Sequence, residues 1–286
     1  MTAGQAARTV VAPGTRRIAR TPRRDHRDQA ALALRPTPPA VSVIVPARNE
    51  QEQIARVLRR IFWSVATPCE VLVVVDTPDD PTVSAALAYG PDEPRLRCLV
   101  SDYGPGPANA IRYGIDQAGG EVVVVTMADG SDDVRQIDDL AALVERGVVV
   151  AAASRYAAGG QQIGRMSVKA LLSRLAGTSL HLLARAGTRD ATNSFKAYSA
   201  AFIREVGIDS RNGFTVGIEL TAKARRLRRP VAELPTVWLD RQDGDSAFLL
   251  RDWLPGYLRW YLFCFGRRLT AADLASRREA AAGGGP

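Results

Sequence analysis

The sequence predicts a doubly wound α/β fold, in which a mostly parallel sheet carries helices on both of its faces. The chain has 286 residues, of which 46% are hydrophobic and 24% charged, as is usual for a globular domain. Its central part alternates short apolar runs with amphipathic stretches, the order expected of repeated strand–helix units. The apolar runs are nearly continuous Val, Ile and Leu, which indicates strands that are buried on both faces.

The first strand and the first helix have clear local patterns. Val41–Val45 is predicted as a buried strand that Pro46 ends. Residues 51–64 are predicted as a helix, because the apolar residues Ile54, Val57, Leu58 and Ile61 recur at helical spacing. The further strands are predicted over residues 71–75, 96–100, 122–126 and 148–152, and the further helices over residues 81–89, 108–118 and 134–144.

The two ends of the chain differ from its body. Residues 1–38 are rich in Arg, Ala and Pro without apolar periodicity, which predicts a disordered basic tail. Residues 39–248 hold the α/β domain, and residues 249–286 form an aromatic and basic C-terminal segment with a flexible tail. Residues 1–40 contain eight arginines against two acidic residues, and the body is neutral although the whole chain carries +8. The basic ends favour contact with an anionic partner.

The same composition excludes several classes of protein. No combination of basic and aromatic residues typical of a nucleic-acid module is present, so nucleic acid is not expected as a partner. The three cysteines, Cys69, Cys98 and Cys264, are widely spaced and indicate neither a disulfide framework nor a zinc site. The N-terminus has no apolar signal-peptide region. A cytoplasmic location is therefore expected.

Polar and acidic residues follow three of the predicted strands, at residues 46–50, 76–80 and 129–133. Ligands of doubly wound sheets bind outside the carboxyl ends of the strands, so these segments predict a ligand site. Helix capping is the alternative for individual aspartates, and it applies to Asp79, Asp80, Asp132 and Asp133. Because the pattern recurs at three strand ends, a ligand site is favoured for the set.

Absent motifs restrict the ligand. The sequence has no Gly-x-Gly-x-x-Gly after the first strand and no Gly-Lys-Ser/Thr phosphate loop. It has only two histidines, His26 and His181, which argues against histidine-based metal sites and Ser-His-Asp chemistry. A carboxylate-bound Mg²⁺ or Mn²⁺ that partners a diphosphate fits the remaining residues.

The ordered set of motifs resembles the family 2 glycosyltransferases of the GT-A fold, and within them the polyprenyl-phosphate or dolichyl-phosphate mannose and glucose synthases. The segments that carry the resemblance are VSVIVPARNE at 41–50, VVVD at 73–76 with Asp79 and Asp80, PANAIRYG at 107–114, Asp129, SRY at 154–156, DATNSFKAY at 190–198, Gly213-Phe214 with Glu219, ELP at 233–235 and DRQDGDS at 240–246.

The resemblance implies the residues of a donor site and a metal site. It assigns binding of the nucleotide-sugar to Pro46, Arg48, Glu50, Asp76, Asp79 and Asp129. Asp129 matches the last acid of an Asp-x-Asp motif that binds Mg²⁺ or Mn²⁺ on the sugar diphosphate. Met127 stands where the first acid belongs, and a thioether is a poor ligand for Mg²⁺. Asp129 is then expected to act with Asp132, Asp133 or water, or the dependence on metal is weak.

The resemblance also implies an acceptor site. It assigns binding of a lipid phosphate to Arg155, Lys169, Ser173 and Arg241, and catalysis to Asp129, Asp190 and Arg241. Cations are needed between an anionic acceptor and a diphosphate donor. A phosphate oxygen is already ionised at neutral pH, whereas a hydroxyl acceptor needs a general base, for which Asp190 is the candidate.

The implied function is inverting, metal-assisted transfer of a sugar from a GDP- or UDP-sugar to a polyprenyl phosphate. Two alternatives stay open: the same fold with a hydroxyl acceptor on a glycan or small molecule, and a non-catalytic module that binds nucleotide-sugars, which Met127 motivates. Trp, Tyr and Arg alternate through residues 249–269, as they do at membrane–water boundaries. Peripheral attachment at the inner face of the membrane is expected, with a membrane-protein partner as a further option, and packing of this segment on the domain is the alternative.

Overall fold

The computed structural model of the protein describes residues 39–90, 93–164, 168–240 and 250–283, and only the backbone at residues 168–169, 250–253 and 281–283. The basic tail predicted for residues 1–38 and the predicted site residue Arg241 lie outside the described residues. The predicted site residue Lys169 lies in the first turn of a helix, where only the backbone is described.

The strands of the described residues form one seven-stranded sheet and one two-stranded sheet. In chain order they are β1 (Val41–Pro46), β2 (Cys69–Val75), β3 (Leu96–Val100), β4 (Val122–Val125), β5 (Val150–Ser154), β6 (Gln161–Ile163), β7 (Lys196–Ser199), β8 (Val231–Pro235) and β9 (Val237–Leu239). The large sheet has the order β3-β2-β1-β4-β7-β5-β8, and β6 pairs in parallel with β9. Only β7 runs antiparallel to its neighbours in the large sheet, so the sheet is mostly parallel, as the sequence predicts.

The helices lie on both faces of this sheet. They are α1 (Ile54–Ser64), α2 (Pro81–Tyr89), α3 (Pro107–Asp116), α4 (Ile137–Glu145), α5 (Val168–Leu182), α6 (Ala200–Val206), α7 (Val216–Arg226), α8 (Leu250–Cys264) and α9 (Ala271–Gly283). Successive side chains of a strand point to opposite faces, so β1 serves two cores. Val43 and Val45 pack in the core that contains α1, α2 and α4, and Ile44 packs in the core that contains α3, α6 and α7. The predicted double winding is confirmed.

The boundaries differ from the sequence prediction in a few places. The helix predicted from residue 51 begins at Ile54, because the Gln53 N–H donates to the Glu50 carbonyl three residues back and residues 51–53 form a turn. The helix predicted from residue 134 begins as a 3₁₀ turn over Val134–Gln136 and continues as α4. Strand β5 begins two residues later than predicted, at Val150.

The C-terminal helix α8 packs on the domain with one face. Trp260 and Cys264 are buried against Leu180 of α5 and Ile218 of α7, which is the packing alternative for this segment. Other residues of α8, such as Leu258, remain exposed. Among the helices that the structure describes, none is long and apolar enough to cross a bilayer.

Candidate active site

The carboxyl ends of β1, β2 and β4 meet at one edge of the sheet, since these three strands are neighbours and run parallel. Pro46 is buried at the end of β1, level with Val74 of β2. The Ala47 N–H then donates to the Val74 carbonyl over 2.9 Å, which holds the start of the following loop against β2. Arg48, next along the loop, is exposed.

Asp80 fixes the loop after β1 rather than facing an open site. Its carboxylate caps α2 by accepting from the Thr82 N–H at 2.8 Å. It also accepts from the Asn49 N–H at both oxygens, where Asn49 has a φ of 57°. Capping is thus the role that the structure gives Asp80, and Asp133 likewise caps the 3₁₀ turn before α4. Asp79 is exposed beside this cap.

Asp76 and Glu50 lie on either side of the capped loop. The half-buried Asp76 accepts from the Gly106 N–H at 3.0 Å, and Gly106 has a φ of 109° that favours glycine. This bond ties the end of β2 to the start of α3. The backbone N–H of Glu50 donates to the Thr82 hydroxyl at 2.9 Å, which joins Glu50 to α2.

The loop after β4 presents two carboxylates. Asp129 is half-buried, and its Oδ1 accepts from both the backbone N–H and the hydroxyl of Ser131. Asp132 is buried, and its Oδ2 accepts from the Thr126 hydroxyl at 2.9 Å and the Met127 N–H at 3.0 Å. Its other oxygen, Oδ1, is buried and has no hydrogen-bond partner among the described residues. Burial, together with the charge of Asp129, raises the pKa of Asp132 to about 7.

These two carboxylates fit a hard divalent cation. Mg²⁺ is usually bound by one or two carboxylates together with substrate phosphates, and it prefers oxygen ligands. Asp129 and the unpartnered Oδ1 of Asp132 supply such oxygens, whereas Met127 does not. In the part of the chain that the structure describes, no group of three or more His, Cys, Asp or Glu residues is placed to hold a metal.

A second cluster centres on Arg155, at the end of β5. Its Nε and Nη2 donate to the two oxygens of Asp190 over 2.8 and 2.9 Å, and its backbone N–H donates to Asp190 as well. Nη2 also reaches the Ser173 hydroxyl on α5 at 3.3 Å. The guanidinium lies over the rings of Tyr156 and Trp238, at 4.9 and 5.6 Å from their centroids. Its Nη1 makes no hydrogen bond to any described residue.

Asp190 is fully buried behind this guanidinium. Burial by itself would raise the pKa of Asp190, but the charge and hydrogen bonds of Arg155 outweigh it and lower the pKa. Lys196 lies in the same buried environment, where its ammonium donates to the carbonyls of Ala191 and Asn193. Burial lowers the pKa of Lys196 to about 8, although Asp190 opposes this shift. The segment from Asp190 to Lys196 is therefore a rigid polar support for Arg155.

Helix α5 approaches this support closely because of Gly177. A Cβ at this buried position would collide with the carbonyl oxygen of Arg189, next to Asp190. The close approach brings Ser173, one turn earlier on α5, to Arg155 and to the Thr192 hydroxyl. The predicted acceptor residues Arg155 and Ser173 are thus brought together with Asp190.

The cluster around Asp132 and the cluster around Arg155 adjoin. The charges of Asp132 and Arg155 influence each other's pKa, and the charge of Asp129 raises the pKa of Asp132. The Leu239 N–H of β9 donates to the Ser131 carbonyl at 3.0 Å, and this strand also carries Trp238, which contacts Arg155. Sequence reasoning missed Lys196 and Trp238 as parts of the site. Lys196 lies within the quoted segment 190–198, which was the available signal, whereas nothing in the sequence distinguishes Trp238.

Comparison with solved structures shows which fold this is. Glucosyl-3-phosphoglycerate synthase from Mycobacterium tuberculosis, in complex with Mn²⁺, UDP and glucosyl-3-phosphoglycerate, superposes with a TM-score of 0.60 at 17% identity and covers 88% of each chain. The same synthase with Mg²⁺ and UDP also gives a TM-score of 0.60, at 17% identity over 88% of this chain and 86% of that one. The chain has the GT-A fold that its sequence motifs resemble.

Comparison of sequences defines the family. The model of glycosyl transferase family 2 matches residues 42–207, which is more than half of the chain. The undecaprenyl-phosphate mannosyltransferase of Micrococcus luteus is 26% identical over 72% of this chain and 86% of its own length. The polyprenol monophosphomannose synthase of Mycolicibacterium smegmatis is 30% identical over 74% of this chain and 82% of its own length. The chain belongs to glycosyl transferase family 2, and it is a glycosyltransferase.

Proposed function

We propose that the protein transfers a sugar from a GDP- or UDP-sugar to a polyprenyl phosphate, with inversion at the transferred carbon and with assistance from Mg²⁺ or Mn²⁺. One observation carries the acceptor side of the proposal: the largely buried Arg155, which Asp190 holds by two parallel hydrogen bonds while Nη1 makes no hydrogen bond to any described residue. A guanidinium fixed in this way binds a phosphate with defined geometry. The two named relatives, an undecaprenyl-phosphate mannosyltransferase and a polyprenol monophosphomannose synthase, support the same acceptor class.

The donor would lie along the carboxyl ends of β1, β2 and β4, with its nucleotide against Pro46, Arg48, Glu50, Asp76 and Asp79 and its diphosphate at Asp129. Asp129 and Asp132 would hold the cation, which when bound supplies charge neutralisation to the leaving diphosphate. Since the acceptor oxygen is already ionised, the proposed reaction needs no proton transfer to the protein. One in-line displacement then forms the new bond from the phosphate oxygen to the sugar as the bond to the diphosphate breaks.

Arg155 and Ser173 would bind the acceptor phosphate, and Lys169 and Arg241 remain proposed acceptor residues. Arg155 lies next to the loop that carries Asp132. The donor diphosphate and the acceptor phosphate would meet there, and the fixed guanidinium of Arg155 between them would lower their repulsion. Asp190 is assigned to holding Arg155. Its full burial and lowered pKa do not suit the general base that a hydroxyl acceptor would require.

A polyprenyl phosphate acceptor also requires the protein to work at a membrane surface, which we place at its inner face. The test is transfer of radiolabelled sugar from a panel of GDP- and UDP-sugars, with Mg²⁺ or Mn²⁺, into an organic-extractable product. Polyprenyl phosphate is added or omitted. We expect labelled lipid that depends on the added acceptor, is lost in Asp129→Ala and is largely kept in the matched variant Asp133→Ala. Release of free sugar without labelled lipid would instead support the hydroxyl-acceptor alternative.

A further inference from the structure

The described residues expose large apolar side chains mainly in one region. Nine of the sixteen such side chains lie on or directly after helices α5 and α8. They are exposed by 39% to 72%, and they are Leu171, Leu172, Leu175, Leu182, Leu183, Leu254, Leu258, Leu262 and Phe265. Scattered single apolar residues are normal on a protein surface, but a contiguous set indicates a binding surface.

The two sets adjoin because the helices touch. The Ser179 hydroxyl of α5 and the Tyr261 hydroxyl of α8 are 2.9 Å apart. Residues three or four apart share one face of a helix, so Leu175 and Leu182 lie on the side of Ser179, Leu258 lies on the side of Tyr261, and Leu262 lies one turn after Leu258. The opposite sides of both helices are buried, with Leu180 and Trp260 in one cluster. The exposed leucines therefore form one surface on either side of the α5–α8 contact, here called the leucine face.

The charges around the leucine face have one sign. Residues 168–185 and 254–270 contain no Asp or Glu. They contain six basic residues, and the exposed ones that the structure describes are Arg174, Arg185, Arg259, Arg267 and Arg268. On α5, Arg174 falls next to the stripe of Leu171, Leu175 and Leu182 on a helical projection, and Arg185 follows three residues after the helix ends at Leu182. Apolar residues flanked by arginines match the acyl chains and the anionic headgroups of a bilayer.

The leucine face is also continuous with the acceptor side of the site. Ser173, which accepts from Arg155, lies between Leu172 and Arg174 on α5. The Tyr156 hydroxyl donates to the carbonyl of Ala170 at 3.4 Å, so the first turns of α5 contact both residues of the Arg155–Tyr156 pair. A lipid whose phosphate reaches Arg155 would have its acyl chain beside this surface.

We infer that the leucine face docks on an anionic lipid bilayer and presents Arg155 to acceptor lipids in that bilayer. This inference rests on the proposed function for the identity of the acceptor, but not for the docking itself. It adds α5 to the C-terminal segment that the sequence suggested, and it makes the docking apolar as well as electrostatic. A second copy of the chain is the competing occupant of such a surface.

The experiment measures flotation of the full chain with vesicles of phosphatidylglycerol and phosphatidylcholine in 1 M KCl, where the Debye length is about 3 Å and attraction by the basic ends is screened. The variants are the pairs Leu175→Gln with Leu182→Gln on α5, and Leu258→Gln with Leu262→Gln on α8. Glutamine leaves the net charge unchanged. Leu87→Gln is the matched control, because Leu87 is 55% exposed on α2, away from the leucine face.

We expect each pair to lower the bound fraction at limiting lipid by about tenfold or more, and the control to bind like the native chain. These leucines are largely exposed, so the melting temperatures should stay close to the native value. If either pair fails to fold, the single variants Leu175→Gln and Leu258→Gln give the same comparison. Equal flotation of all variants, or loss from the α8 pair alone, would overturn the inference.

Two further measurements separate the other outcomes. Light scattering without vesicles would overturn the inference if the native chain is a dimer that the leucine pairs convert to monomers, since the surface would then bind a second copy. Sugar transfer to a short-chain polyprenyl phosphate in detergent should be kept by both pairs. Absence of transfer even in the native chain would contradict the proposed function while leaving the flotation result to decide the docking.

Discussion

The guanidinium of Arg155 and the carboxylate of Asp190 form a bidentate ion pair, with N–O distances of 2.8 and 2.9 Å and a carboxylate that is fully buried. A buried ion pair contributes little net stability, because both charges lose their hydration, but breaking it leaves one charge uncompensated. Its value here is geometric. Asp190 fixes the plane of this cation, whose charge also acts on Asp132 in the loop after β4.

Asp190→Asn should therefore weaken both the fold and the acceptor site. We expect the free energy of unfolding to fall by about 3–5 kcal/mol, the range for removing one partner of a buried pair. Residual activity should show a raised KM for the lipid phosphate with a smaller change in KM for the nucleotide-sugar. Urea unfolding and steady-state kinetics measure the two effects. Glu205→Gln is the control, since it breaks the exposed Arg229–Glu205 pair and should cost no more than about 1 kcal/mol.

Asp132→Asn should change how stability depends on pH in the metal-free protein. Burial raises the pKa of Asp132 from 3.8 to about 7, so the folded state keeps a proton that the unfolded state has lost between these values. The native chain then loses stability as pH rises through this window, whereas the Asn variant has no such proton. The stability of the variant relative to the native chain should rise by up to about 4 kcal/mol between pH 4 and pH 8. A relative stability that stays constant with pH would contradict this.

Gly177→Ala should move α5 away from the segment from Asp190 to Lys196, which supports Arg155. The new methyl group meets the backbone oxygen of Arg189, which cannot move aside as a side chain can. We expect a loss of about 1–3 kcal/mol in the free energy of unfolding, in the range of overpacked cores, despite the gain in helix propensity. Gly256→Ala in α8 is the matched control. Its Cβ would meet only the Thr215 methyl at 3.3 Å, so it should be neutral or stabilising.

Asp129→Asn should reduce the contribution of divalent cations to nucleotide binding. Calorimetric titration of GDP and UDP with and without Mn²⁺ measures this directly and independently of turnover. We expect the native chain to bind its preferred nucleotide more tightly with Mn²⁺. In the variant, this increase in affinity should be smaller by a factor of about ten or more, which corresponds to about 1.4 kcal/mol. Asp133→Asn is the control, because Asp133 is paired with Arg135 and caps the 3₁₀ turn. An equal loss in both variants would argue against Asp129 as the cation ligand.

Local pattern and order along the chain were sufficient for the fold class, for the first five strands and for the sheet edge at which the proposed donor site lies. Continuous apolar runs such as Val71–Val75 could be recognised because strands buried on both faces have no polar side. The turn-forming and acidic residues after β1, β2 and β4 followed from the rule that parallel strands end at one edge. The pattern did not reveal that β7 is antiparallel and lies between β4 and β5, since that pairing joins residues about 70 positions apart.

The sequence by itself determined the fold class, the family and the residue types that reach the donor edge. The tertiary structure decided what each polar residue does there. Asp80 caps α2, and Asp190 pairs with Arg155. The buried Oδ1 of Asp132 has no hydrogen-bond partner among the described residues. Only packing could also bring α5 beside α8 and join their leucines into one face. The reason is physical: strand and helix periodicity are local properties of the chain, whereas burial and pairing depend on neighbours that are distant in sequence.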